Sequence, residues 1–501
     1  MKKLLSALQL QQWDAYTIEH EPISSIDLME RAAMECTKWL LRQSFIQQPI
    51  YIFCGKGNNG GDGLAIARQL FEAGITPAIY IAEFGKPGTD NFQENLHRLH
   101  LLGIAVQYIS SEDLLPHIPN NAVIIDALLG VGLNKPLTSL YALIVQHINA
   151  ANVYTIAIDV PTGLFIDKHT NSDIVIKAKH TLTFQSYKLC FLVAENAHFF
   201  GKVEILDIGL NKNFLASVNT VFKLYDINDI QPIFKIRNPF AHKGNFGHAL
   251  LIAGSGEKMG AAILATGAAL RSGAGLVTTQ IPSANALALN IQYPEAMVLF
   301  RENTVIPYTS FTSIGIGPGL GTHAAASQLL FQTISHYKLP MVIDADALTI
   351  ISQNKTWLQQ LPPGSILTPH PKEFDRLFGP VDNEFTRIES AIKLSATLPL
   401  IIVLKGHYTL VAHNGNGYFN SVGNVGLAKG GSGDVLTGII TALLAQGYEP
   451  NVAAQLGVYM HGIAADLALE CQAEESLLPS DVISFLRKAI NFCKPPLAFI
   501  H

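Results

Sequence analysis

The residues best equipped for chemistry lie in glycine-rich stretches. In GNVGLAKGGSGDVLTG (423–438), glycines and backbone N–H groups suit an anion, yet the Asp434 carboxylate sits among them. The glycines let the chain curl so that successive N–H groups point inward. A helix starting near Asp434 adds its positive end. Such a cradle suits charge developing on a transferring phosphoryl group. A carboxylate inside it can take the proton from the attacking hydroxyl, since a general base must stand within hydrogen-bond reach. The plainer alternative is a glycine turn with Asp434 as the helix N-cap.

Other residues accompany this loop. LKGHYT (404–409) brings Lys405 to a strand end, and GIGPGLG (315–321) is a strand-end loop of four glycines. VIDADAL (342–348) places Asp344 and Asp346 at another strand end, and TPHPKEFDRL (368–377) puts His370 at a strand-to-helix junction. His370 and Glu373 do not read as a zinc site, because no HExxH and no partner Cys/His pair occur.

A second glycine loop, GKGNNGGDG (55–63), follows a strand and opens a helix. Gly55, Gly57 and Gly60 satisfy G-x-G-x-x-G, with Glu83 ~20 residues on, as a dinucleotide fingerprint requires. Asn58, Asn59 and Asp62 speak against it: a pyrophosphate turn does not need their oxygens, and Asp62 would repel phosphate. Amide and carboxylate oxygens suit a hard cation or a polar substrate group. DALLGVGL (126–133) puts Asp126 at a strand end, and AIDVPTGL (157–164) does the same for Asp159 and Thr162. One such acid is most often a cap or turn former. Acidic strand ends with glycine turns on neighbouring strands point to a site, with an Asp as acid/base.

These loops need rigid elements behind them. From residue 49 the chain alternates: IYIFCG, PAIYIAE, AVIIDALLG, YTIAIDVPTG and KVEILDIGL read as strands, with helices over GDGLAIARQLFEAG and TDNFQENLHRLHLLG. Short apolar runs between helical patterns predict a mostly parallel sheet covered on both faces, with ligands at the strands' carboxyl ends. The rhythm lapses over 211–240, which places a boundary near residue 220 and domains at 1–218 and 219–501. A second series follows: strands in GHALLIAGS, LVTTQIP, SIGIGPG, PMVIDADAL, SILTPH and LIIVLKG, a small-residue helix MGAAILATGAALRSGAG (259–275), and closing helices over 433–446, 452–470 and 480–491.

Composition bounds the rest. The 501 residues are 49% hydrophobic and 15% charged with a net charge of −5, so large cores are affordable and no basic stripe invites nucleic acid. Five scattered cysteines without a CxxC pair imply reduced thiols in a cytoplasmic setting. MKKLLSAL is too short for a signal peptide and reads as an amphipathic first helix. No apolar run reaches the ~18 residues of a membrane span.

GKGNNGGDGL, DALLGVGL and IDVPTGL together resemble the epimerase domain that acts on hydrated NADH and NADPH (NAD(P)HX), over residues 10–215. The resemblance implies substrate contact by Asn58, Asn59, Gly60, Gly61 and Asp62, and by the turn Gly130, Val131, Gly132, Leu133, Asn134, Lys135 and Pro136. It further implies Asp159 as substrate contact and acid/base, and potassium on Asn59, Asp126 and Thr162. Thr162 stands where serine is common, and Arg31 where the family usually has Asn. HKGNFGHALLIAGS, MGAA, GIGPGLG, IDADAL, TPHPKEF, VLKGHYT, GNVGLAKGGSGDVLTGII and GVYMHGIAAD resemble the ADP-dependent NAD(P)HX dehydratase over residues 225–495; the GGSGD motif is that of ribokinase-like kinases. This implies substrate contact by Ala261, Gly319, His370 and Asp434, and nucleotide contact by Lys405, Gly406, His407, Tyr408, Thr409 and Gly433. Asp434 would activate the ring hydroxyl, which is phosphorylated before phosphate is eliminated. Lys429, Val425, Leu427, Ser432, His407 and Tyr408 depart from the usual pattern without removing a catalytic group, and Lys429 would strengthen phosphate attraction.

The expectation is therefore α/β with two domains: an N-terminal Rossmann-like three-layer αβα epimerase and a C-terminal ribokinase-like αβα dehydratase. The dehydratase would consume ADP with magnesium. Expected partners are NADHX, NADPHX and ADP, with no nucleic acid or membrane. A homo-oligomer is expected, since helix 259–275 permits close subunit packing. Three other readings stay open: a kinase leaving a stable phosphate ester, an N-terminal dehydrogenase using GKGNNG, and an N-terminal binding module without catalysis.

Overall fold

The computed structural model describes residues 1–302 and 305–496. The chain divides into two compact units, Lys3–Thr220, and Val221 onward together with Met1–Lys2.

The first unit is built on a seven-stranded, all-parallel sheet. Its order is Val106–Ile109, Ala78–Ala82, Ile50–Cys54, Val123–Ala127, Tyr154–Ile158, His180–Phe184, Lys202–Leu206. Alternate residues of Ile50–Cys54 face two separate cores: Ile50, Ile52 and Cys54 pack under helices Ser25–Leu41 and Asn58–Glu72, while Phe53 packs with Ile144 and Ile148 of helix Ser139–Ala151. Two apolar faces on one sheet require helices on both sides, giving three layers. The strand order reverses between Ile50–Cys54 and Val123–Ala127, which opens a crevice at their carboxyl ends. The strands Val106–Ile109 and His180–Phe184 and the helix Ser139–Ala151 are additions to the elements expected from the sequence.

The second unit carries most of an eleven-stranded sheet. From Phe222–Tyr225 it runs Asn416–Asn420, Leu410–His413, Ile401–Leu404, Ile366–Leu367, Met341–Ile343, Ser313–Ile316, His248–Ile252, Leu276–Ile281 and Met297–Phe300. Pairing is parallel except around Leu410–His413, which is antiparallel to both neighbours. The hairpin Leu410–Asn420 turns at Asn414 and Gly415, both at positive φ, and extends the sheet beyond the parallel series legible in the sequence. Phe222–Tyr225 lies inside the stretch that lacks rhythm and joins the sheet beside Asn416–Asn420. Helix Ser432–Ala445 is buried almost all round and crosses helix Met259–Arg271 so closely that a Cβ on Gly438 would come within 2.1 Å of the Ala265 carbonyl oxygen. The small residues Ala262, Ala265, Ala268 and Ala269 are thus spent on packing inside the unit. Among the described residues no helix is long and apolar enough to cross a membrane.

Candidate functional sites in the two units

In the first unit a cleft of about 720 Å³ opens at the strand-order reversal. Gly57, Asn58, Asn59 and Asp62 form one wall, the turn Gly130–Pro136 another, and Asp159 reaches it from the end of the next strand. Close approach explains the glycines: a Cβ on Gly60 would stand 1.7 Å from the Gly55 carbonyl oxygen, and one on Gly55 2.0 Å from that of Leu128. Gly60 and Gly61 do not line the cleft; they let helix Asn58–Glu72 begin tight against the sheet.

Beneath the cleft, Asp126 is fully buried. Its carboxylate accepts the Thr162 amide at 2.8 Å and hydroxyl at 2.7 Å, and the Leu128 amide at 3.2 Å. Burial pushes its pKa up to about 6 against those hydrogen bonds. Asn59 stands on the cleft wall, where a Cβ on Gly130 would come within 3.3 Å of its side chain, and its buried Nδ2 has no partner. Turning that amide over would present an oxygen instead, since the two orientations are an assignment.

Asp159 holds a left-handed backbone, φ 65°, rare for a residue with a side chain. Its Oδ1 accepts the Lys188 ammonium at 2.6 Å and the Phe184 amide at 3.2 Å. Asp62 and Asp14 complete a carboxylate cluster on the cleft. Burial, then Asp159, then Asp14 push Asp62 well above the carboxylate range. Asp14, on helix Ala7–His20, is exposed at the cleft; partial desolvation there, then Asp159, raise its pKa while Lys188 opposes.

Glu83, the acidic residue of the dinucleotide fingerprint, is occupied: it takes the Lys56 ammonium at 2.5 and 2.6 Å and the Gly85 amide at 2.6 Å. The Lys56 hydrogen bond holds its pKa below the usual value. Arg31 donates to the carbonyls of Ile208 and Gly209 at 3.2 and 2.9 Å, tying helix Ser25–Leu41 to the chain after the last strand.

In the second unit, helix Ser432–Ala445 starts at the left-handed Gly431, φ 98°, without a side-chain cap. The Ser432 N–H donates to the Lys429 carbonyl at 3.3 Å, while the N–H groups of Gly433 and Asp434 have no partner among the described residues. Asp434 is the third helical residue, so it does not serve as the N-cap. Beside it, Lys405 donates to Asp344 at 2.8 Å, and Thr437 holds the other Asp344 oxygen at 2.8 Å. Gly433 leaves room for this pair: a Cβ there would stand 3.3 Å from Lys405 Nζ and 3.4 Å from Asp344 Oδ2. Burial works against the Lys405 ammonium, but Asp344 and Glu373 outweigh it. Burial, then Asp344, raise Asp434 to about 7; Lys405 opposes and Asp346 adds.

A pocket of about 570 Å³ adjoins, lined by His370, Lys405, Gly406, His407, Thr409 and Gly433. Tyr408 does not line it; its ring stands edge-on to His407 at 4.6 Å. His370 caps helix Pro371–Phe378 through Nδ1, accepting the Lys372 amide at 3.1 Å, and burial depresses its pKa. Buried His461, 3.3 Å from the Ser432 hydroxyl, is lowered to about 4 by burial and then by Lys405. Gly319, φ 59°, packs on Lys258 and Ala261, and Asp346 accepts the Gly321 amide at 2.8 Å and pairs with Lys258 at 3.1 Å.

Residues 249–488 match the family model described as NAD(P)H-hydrate dehydratase, and residues 25–190 match that of the YjeF-related protein N-terminus. The chain is 34% identical to the bifunctional NAD(P)H-hydrate repair enzyme Nnr of Coxiella burnetii, over 98% of this chain and 100% of that one. The chain belongs to the bifunctional NAD(P)H-hydrate repair enzymes. The Moorella thermoacetica relative of the same name is 32% identical over 96% of both chains. A ribokinase-like superfamily protein from Enterococcus faecalis aligns with 56% of this chain and 99% of its own, at 31% identity and a TM-score of 0.50. The repair enzyme thus pairs an epimerase unit with a ribokinase-like dehydratase unit.

Several residues of this repair enzyme's sites escaped the sequence reading. Lys188 lies 29 residues beyond Asp159 in a segment without a motif. Asp14 sits in a helix that reads only as amphipathic. Asp344 was visible as a strand-end acid, but nothing in the sequence links it to Lys405, 61 residues away. The Lys429 ammonium bonds the Glu475 carbonyl, an engagement that competes with phosphate.

Proposed function

We propose that the N-terminal unit interconverts R- and S-NAD(P)HX, and that the C-terminal unit converts the S epimer and ADP to NAD(P)H, AMP and phosphate. The observation that carries the second reaction is the uncapped start of helix Ser432–Ala445 with Asp434 in its first turn and Lys405 alongside. The ring hydroxyl attacks the terminal phosphorus of ADP, an O–P bond forms, and the bond to AMP breaks. Asp434 accepts the hydroxyl proton, and the free N–H groups receive charge on the phosphoryl oxygens. Phosphate then departs with its C–O electrons while the neighbouring ring carbon loses a proton, restoring the double bond.

Ala261, Gly319 and His370 would frame the substrate. Gly406, His407, Tyr408, Thr409 and Gly433 would frame the nucleotide, with Lys405 near its phosphates. Magnesium would arrive on the phosphates. Among the described residues no cluster of three or more His, Cys, Asp or Glu is poised for a metal, which fits an ion keeping phosphate and water as its main ligands.

Inverting a carbon that carries a hydroxyl beside a ring nitrogen requires one of its bonds to break and re-form, with a proton removed and another supplied. Asp159 serves as that acid/base, with Asn58, Asn59, Asp62 and Gly130–Pro136 around the substrate and Gly60 and Gly61 shaping their loop. Potassium fits the oxygens of Asn59, Asp126 and Thr162. Turned over, the Asn59 amide, whose nitrogen has no partner as placed, would present an oxygen to such an ion. Such an ion would offset the Asp126 charge under the cleft. Five unpaired thiols fit a cytoplasmic setting. Self-association would be measured by light scattering.

The test is a mixture of both NADHX epimers with magnesium, potassium and ADP, followed by the absorbance of reduced nicotinamide, with ATP in parallel. Full recovery with ADP supports both activities. A plateau at the S share sinks the epimerase, provided spontaneous epimerisation is slower. No recovery with either nucleotide returns the second unit to the reading of a kinase with another substrate.

A further inference from the structure

Resting on the epimerase reading of the first cleft, one residue outside every motif bears on how that cleft works. Lys188 is 1% exposed. Its ammonium donates to Asp159 Oδ1 at 2.6 Å, to the Thr183 hydroxyl at 2.5 Å and to the Phe184 carbonyl at 3.0 Å. An ammonium has three donors, and all three are engaged. The side chain cannot serve the substrate without abandoning this set. Its effect falls on Asp159, which is otherwise fixed by its left-handed backbone, by its N–H donating a hydrogen bond to the Leu182 carbonyl at 2.8 Å, and by the Phe184 amide on the same Oδ1. Asp159 Oδ2 accepts no hydrogen bond from the described residues, and Asp159 lines the cleft. One oxygen is locked and the other is left for a ligand.

The surroundings make that division matter. Asp14, Asp62 and Asp159 share one cleft, Lys188 is the ammonium paired with Asp159, Lys135 stands on the turn that lines the same cleft, and the buried Cys36 and Cys190 thiols nearby are held neutral by burial. Three crowded carboxylates of which only Asp159 has a directly paired cation favour retaining a proton, because like charges that close disfavour full ionisation. We propose that Lys188 is a positioning residue that assigns the roles: it keeps Asp159 as the anion with Oδ2 free for the substrate, and leaves the retained proton to Asp14 and Asp62, which line the same cleft from other elements. The raised values of Asp14 and Asp62 agree with that division. Base and acid then stand on different elements, as inversion at one carbon requires.

The test uses the full chain with aspartate labelled with ¹³C at the side-chain carboxyl, signals being assigned with Asp14→Asn, Asp62→Asn and Asp159→Asn. Near pH 7, the Asp159 carbon is expected at the ionised shift and the proton on Asp14 or Asp62. A protonated Asp159 at that pH overturns the proposal. In Lys188→Met, epimerisation should fall roughly 100-fold or more, the acid limb of its pH profile should move upward, and Lys188→Arg should recover most of the rate. A Lys188→Met enzyme with unchanged profile and rate overturns it too. Should that variant fail to fold, the wild-type titration still decides. Should the wild-type chain not epimerise, the reading of the cleft fails, while the titration still judges Lys188.

Discussion

The pH dependence of dehydration is the sharpest consequence of the second site. Asp434 must be ionised to accept the hydroxyl proton, and burial together with Asp344 raises it to about 7. A group with that value is ionised in about one molecule in ten at pH 6 and about nine in ten at pH 8. Activity should therefore be lost as pH falls through neutrality, by about tenfold across that interval. The phosphate of the nucleotide itself titrates near pH ~6, so the wild-type profile alone is ambiguous. Asp344→Asn separates the two. Removing the like charge should move the Asp434 limb to lower pH, while the nucleotide's ionisation stays where it is. The same change weakens the Lys405–Asp344 pair, in which Asp344 is 1% exposed. Breaking a buried pair by deleting one partner costs about 3–5 kcal/mol, and the oxygen kept by Asn should hold the loss near the lower end. The assay is the initial rate of nicotinamide absorbance from purified S epimer at saturating ADP, with calorimetry for stability. A limb that moves upward in Asp344→Asn, or stays fixed, refutes the assignment of that limb to Asp434.

Asp159→Asn should abolish epimerisation while recovery from the pure S epimer continues, read by absorbance on each epimer. Asn59→Ala should remove any potassium activation of epimerisation, measured by replacing potassium with a bulky organic cation. Gly60→Ala should disable the epimerase and lower the melting temperature of the first unit, because its Cβ would stand 1.7 Å from a backbone oxygen that cannot swing away. Lys429→Thr should leave the ADP affinity within about twofold by calorimetric titration, since the ammonium is engaged by the Glu475 carbonyl and exposed cations contribute little.

Legibility differed between backbone and side chain. The parallel strands beside the loops were readable because buried strands are short apolar runs ending in glycine turns; Ile50–Cys54, Val123–Ala127 and Tyr154–Ile158 all carry that signal. The hairpin Leu410–Asn420 and the strand Phe222–Tyr225 were not, because no helical pattern sets off the two arms of the hairpin and Phe222–Tyr225 lies in the stretch without rhythm. The N-cap alternative for Asp434 turned on a shift of a few residues in where the helix begins, finer than a sequence pattern resolves.

By itself the sequence determined which groups were available and where they stood: Asp126, Asp159 and Lys405 at strand ends and Asp434 at a helix start, each beside glycines that tight turns need. Tertiary structure alone decided their company. Lys188 meets Asp159, Asp14 joins Asp62, and Asp344 grips Lys405. Those meetings span tens of residues and depend on sheet order and register, while the charge state of each group depends on the water excluded around it. Local sequence encodes the side chain, but its neighbours and its dielectric exist only once the chain has folded.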